Sequence, residues 1–278
     1  MKLAAGIFFF PLFILVSLQS FSQGKIEQSK QEVKKGNKKQ SNPGNPQTTS
    51  SSKSDDDKTI GEIFFEGVAK VFLYITYYST IGSYKTEEHL HSKVTRYPYN
   101  NNPSGNYEKP DTSAHSKNHF RFDADYQYLY SNKNFTGNHF TCNIRPFQYF
   151  YLQAQYHLLT EKINNTKQQL SLFNVDLCYD RIRFEKFNLG WKAGMVYIAD
   201  NVNRAGFSVG LDAETFVVKP VSIYASKQWG SIHRVAVNQF EVGAKFYLKR
   251  FNVHAGYEHL KIGSPLYDYA FLGAGVRL

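Results

Sequence analysis

His254 and Glu258 stand four residues apart in FNVHAGYEHL, so in an extended chain both side chains leave on the same face. With Asp212 or Asp176 facing them across an enclosed space, they would form an acid–histidine pair able to activate a water or a serine. The pattern lacks a nucleophile. Ser208, Ser222 and Ser226 stand in ordinary alternating segments, and no Gly-x-Ser-x-Gly elbow surrounds them. A second constellation is His89-Leu90-His91 beside Glu87 and Glu88, where i and i+2 imidazoles could share a metal. No third ligand follows at a defined spacing, and an exposed polar loop accounts for it. Asp55 to Asp57 show no EF-hand spacing. Phosphate-cradling glycine loops, CxxC pairs and HExxH are missing, and basic residues do not interleave with aromatics on a nucleic-acid fold. The reading therefore assigns no catalytic residue, metal, cofactor or nucleic-acid partner. It keeps His254, Glu258, Asp212 and Asp176 as catalytic candidates, and His89 and His91 as metal candidates.

The elements that must position these residues are strands. From His119 to Tyr130 the even positions are apolar and the odd ones up to Gln127 polar, a period of two. Such segments recur near 119–130, 138–145, 148–160, 169–182, 187–198, 205–216, 220–229, 235–248, 250–261 and 267–278. Each is near the roughly 9–11 residues with which a tilted strand crosses a membrane. Their polar faces collect His119, Arg121, Asp123, Asp125, Asn143, Arg145, Gln153, Gln155, His157, Asp176, Asp180, Lys192, Asp212, Glu214, Glu241, Lys245, His254 and Glu258. A barrel of about ten strands has a narrow interior filled by side chains, so these charges should pair and close the lumen. Connections at 131–137, 161–168, 199–204, 230–234 and 262–266 read as longer than those near 146, 185, 218 and 249. That alternation predicts outer loops at one end and short periplasmic turns at the other. Trp191 and Trp229 fall near opposite strand ends on the apolar face, as in two aromatic girdles.

Ahead of the barrel, residues 1–22 have a basic start, a short apolar core and a Ser-Phe-Ser site, the layout of a secretory signal cleaved before Gln23. Residues 23–58, with eight Lys against five acids, read as a disordered basic linker. Residues 59–84 open with apolar residues at helical spacing from Ile60 to Ile75. They predict an amphipathic helix or a first strand. Proline- and glycine-bearing 85–118 reads as an irregular connection. Cys142 and Cys178 fall on opposite faces of their strands, which predicts two free thiols. The formal net charge of +10 is spread over the chain.

With its signal, its RPFQYFYLQAQY and LCYDRIRFEKFNLGWKAG segments and its YEHLKIGSPLYDYAFLGAGVRL end, the chain resembles uncharacterised outer-membrane β-barrel families of Gram-negative bacteria. The resemblance covers about residues 119–278. It implies an all-β antiparallel transmembrane barrel in the cell outer membrane, and it implies no reaction. The reading favours a structural or interaction role in the envelope over catalysis. Expected partners are outer-membrane lipids, with an anionic envelope polymer or periplasmic protein reached through the basic linker. A small outer-membrane hydrolase or lipid-modifying enzyme is the alternative, and a soluble lipocalin-like periplasmic binder the second.

Overall fold

The ten alternating segments close into one antiparallel barrel in the computed structural model, which describes residues 24–36, 81–100, 104–109, 120–163 and 166–278. The signal, most of the expected linker, His119 and the expected helix within 59–84 lie outside the described residues. A small two-stranded ladder, β1 (Lys93–Val94) with β2 (Tyr107–Glu108), precedes the barrel. The barrel strands are β3 (Arg121–Asn132), β4 (Phe135–Arg145), β5 (Phe150–Ile163), β6 (Thr166–Arg183), β7 (Phe187–Ile198), β8 (Arg204–Val218), β9 (Val221–Ile232), β10 (Val235–Leu248), β11 (Phe251–Ile262) and β12 (Leu266–Arg277). Each pairs with its sequence neighbour, and β12 returns to pair with β3.

Because the pleat alternates side chains strictly, each strand sends one set inward and the other outward. The outward set is apolar: Leu272 is 69% exposed, Phe207 62% and Val175 56%. On β5, β6 and β7 outward-facing aromatics touch one another in two groups. Phe150, Tyr179 and Trp191 make one series, with Tyr156, Phe173 and Tyr197 making the other. Cys142 faces outward and Cys178 is buried inside, and both are free.

The turns correct one expectation. Among the described residues, those at the far end comprise only 133–134, 199–203, 233–234 and 263–265. At the end where β3 begins and β12 stops they are 146–149, 184–186, 219–220 and 249–250. Neither end carries long loops, because polar residues such as Asn132, Lys162 and Lys167 continue the strands instead of ending them. In the tight turn after β9, His233 and Arg234 both adopt positive φ, as a two-residue hairpin turn of the strand-matching hand requires.

The linker expectation is corrected at its start. Lys25–Lys35 form a helix, α1, with Ile26, Ser29 and Val33 on its buried side. Eleven residues of this composition would not hold a helix alone, so docking supplies the stability. Ile26 and Val33 enter a lumen-facing apolar cluster with Leu129, Leu159, Leu172, Ile198 and Leu260 at the far end. The Glu161 carboxylate accepts from the amides of Lys25 (3.1 Å) and Ile26 (2.9 Å), satisfying two orphan donors of the first turn. Ser29 Oγ donates to the Ile262 carbonyl at 3.0 Å. Glu161→Ala should weaken this docking by about 0.5–2 kcal/mol, the usual worth of a helix cap. Trypsin should then cut at Lys30 or Lys34 faster in detergent, while the barrel body resists. Equal cleavage rates would show that the cap does not hold α1.

Candidate functional site

The lumen is built in three tiers by the inward positions of the strands. Beneath α1 lies the apolar cluster. Below it, at mid-barrel, β4, β5, β10 and β11 bring together His139, His157, Glu241 and Glu258. The two imidazoles stack with centroids 3.6 Å apart. His157 Nε2 lies 2.9 Å from Glu258 Oε1, and His139 Nδ1 lies 3.4 Å from Glu258 Oε2. Glu241 accepts from Tyr224 Oη and Gln127 Nε2, each at 2.7 Å. All four residues are buried. A small cavity lined by Asn174, Ser208, Gln228 and Gln239, with apolar neighbours, has room for about one water.

The third tier is an arginine–aspartate network from both sides of the β3–β12 seam. Asp123 lies 2.8 Å from Arg121 Nε, 3.5 Å from Arg277 Nε and 3.7 Å from Arg145 Nε. Asp125 accepts from both terminal nitrogens of Arg277, at 2.9 and 2.8 Å, and lies 3.7 Å from Lys245 Nζ. Arg145 also reaches Asp180 at 2.9 Å. Charges removed from water need such partners, and these have them.

The described residues 81–100 and 104–109 close this end. Tyr107 is fully buried and donates to Asp180, while Asn106 bridges Arg121, Asn188 and Glu214. Burial and the Asp180 charge hold the Tyr107 phenol far above its ordinary range. Tyr99 packs on Phe216 and Tyr247 and donates to the Val221 carbonyl at 2.7 Å. Burial and then Glu214 push its phenol up to about 12. Within the expected irregular connection the described residues thus form a plug.

The metal candidates sit in this plug, where Glu88–His91 form a 3-10 turn. His89 lies against Phe184, ring centroids 4.6 Å apart, and burial there lowers its pKa. His91 Nε2 lies 2.8 Å from the Tyr84 carbonyl. Glu87 is bound to Arg181 at 2.8 Å, and that hydrogen bond lowers the Glu87 pKa. Each is engaged by the packing of the plug on β6.

The catalytic candidates all face inward but have separate partners. His254 Nδ1 lies 2.9 Å from Asn252 Oδ1, Asp212 is 3.0 Å from Lys192 Nζ, and Asp176 accepts from Ser208 and Gln228. Glu258 is joined to His157. The histidine facing Glu258 beside it, His139, was missed by the sequence reading. It shares the parity of Asn143 and Arg145 and stands near the expected start of its strand, where parity alone could have found it.

No family model matches the chain, and no curated protein matches it. Similar solved structures include the COG4313 outer membrane channel from Pseudomonas putida F1, at 12% identity and TM-score 0.33, covering 62% of this chain and all of that one. LpxR from Salmonella typhimurium has 8% identity and TM-score 0.34, covering 57% of this chain and 99% of that one. Neisserial surface protein A has 14% identity and TM-score 0.28, covering 57% and 94%. Likenesses this weak carry no residue and no activity over to this chain.

Proposed function

We propose that this chain is an outer-membrane β-barrel with a structural or interaction role in the envelope, and that its lumen is closed to solutes. The observation that carries the second half is the filled interior, with α1 over one mouth, the plug in the other and buried ion pairs between them. Membrane residence is supported by the apolar outward belt and its two aromatic groups on a sheet with no free edge. A soluble lipocalin-like binder would need the reverse, an apolar inside and a wet outside, and that reading is set aside. The hydrolase reading draws little support from candidates that each bond elsewhere.

The partners in this proposal are outer-membrane lipids around the belt. An anionic envelope polymer or periplasmic protein would meet the basic segment near the N-terminus. Purified protein should need detergent and should shift its gel mobility only on heating. Reconstituted in planar bilayers it should give no stable large channels. Open steps of porin size would overturn the closed lumen, and a barrel soluble in plain buffer would overturn membrane residence.

A further inference from the structure

Among the buried acids of the lumen, Asp123, Asp125 and Asp180 each meet an arginine, while Asp176 accepts from Ser208 and Gln228. Glu241 and Glu258 are held differently. Their described partners are Gln127, Tyr224, Gln239 and the imidazoles of His139 and His157. Two carboxylates taken out of water beside neutral donors leave negative charge uncompensated, at a cost of several kcal/mol per ion. The positive charge must reach the imidazoles as protons or reach the space between them as a cation.

We propose that His139, His157 and Glu258 bind one divalent transition-metal ion of the zinc class. One donor atom from each lies within 4.8 Å of the other two. Ligands about 2.0–2.1 Å from a tetrahedral ion lie roughly 3.3 Å apart. His157 Nε2 lies 2.9 Å from Glu258 Oε1 and His139 Nδ1 lies 3.4 Å from Glu258 Oε2, so each imidazole already faces one carboxylate oxygen at close to that separation. Among the described residues, Glu258 Oε2 is buried and has no hydrogen-bond partner. His139 Nδ1 lies 2.9 Å from Gln127 Oε1, an acceptor, so the ion would take the place of the Nδ1 proton, with Nε2–H then held on Thr141 Oγ1 at 3.0 Å. Gln127 Oε1, 2.9 Å from His139 Nδ1, or a water completes four-coordination. Two imidazoles with one carboxylate suit zinc, cobalt or nickel better than calcium or magnesium, which prefer all-oxygen shells. Loading requires the stacked rings to turn until their lone pairs meet. With both mouths covered, the ion enters while the barrel assembles, and it supplies the charge that Glu241 and Glu258 lack.

The test refolds the full mature chain in detergent with Zn²⁺ or Co²⁺, removes free ion by gel filtration and measures bound metal. Wild type should retain one ion per chain, and the temperature of its gel-mobility shift should exceed that of protein refolded with chelator. Glu258→Gln, His139→Gln and His157→Gln should each lose the ion, while His254→Gln, outside the site, keeps it. Folded wild type without metal overturns the proposal, as does equal retention in all three variants. If the variants do not fold, the cobalt protein decides alone. Visible d–d absorption of a four-coordinate nitrogen–oxygen site supports the assignment, and a colourless barrel refutes it.

Discussion

Asp123→Ala should lower the stability of the barrel by about 3–5 kcal/mol, the range for removing one partner of a buried ion pair. The Asp123 carboxylate lies among Arg121, Arg145 and Arg277, all buried, and it is the acid shared by the three. Truncation leaves that group of guanidiniums one negative charge short, with no water to replace it. Asn at the same position keeps the shape and some hydrogen bonding, so Asp123→Asn should fall between Ala and wild type. The readout is the temperature or urea concentration at which the folded gel band disappears. A midpoint matching wild type would mean that water reaches this tier and the lumen is not sealed.

The second large effect is steric. Gly194 on β7 faces inward opposite Asp176, and a Cβ there would lie 2.0 Å from the Val175 carbonyl oxygen and 2.6 Å from Asp176 Cα. Both obstacles are backbone, so no rotamer relieves the overlap and β6 and β7 must separate. Overpacking costs about 1–3 kcal/mol where side chains can yield, and more here. Gly194→Val should abolish the folded band on refolding, and Gly194→Ala should shift it strongly. Ala193→Val, one residue away on the outward face, should refold normally. Normal folding of the Gly194 variant would place β7 in a different register.

The barrel was legible because its signal is local. Ten alternating segments specify ten strands and the face each side chain takes, so the inward positions of Asp123, Asp176, Lys192 and Glu258 follow from parity. Which of these residues meet is not local. Contacts across the lumen depend on how far each strand is staggered and tilted in the closed sheet. Parity therefore put His254 and Glu258 on one face, but not the pairing of Glu258 with His157, 101 residues away. Turn lengths misled for a related reason. Asn132, Lys162 and Lys167 have loop-like chemistry, yet the neighbouring strand satisfies their backbone. Helix α1 hid because only Ile26 and Val33 mark its apolar side. Its shape depends on a mouth built by residues more than a hundred positions later.

Nine of the ten ladders join strands consecutive in the chain, and each can form as a hairpin from nearby residues. The β12–β3 ladder alone must bring distant ends together, and loop-closure entropy rises with the length of chain enclosed. Arg277, one residue from the C-terminus, crosses that junction to hold Asp123 and Asp125 at the start of the first barrel strand. Closure of the sheet therefore rests on eight residue pairs, Ala270–Tyr130 to Arg277–Asp123, and the Arg277 clasp adds charge pairing to the one ladder that encloses the whole barrel chain.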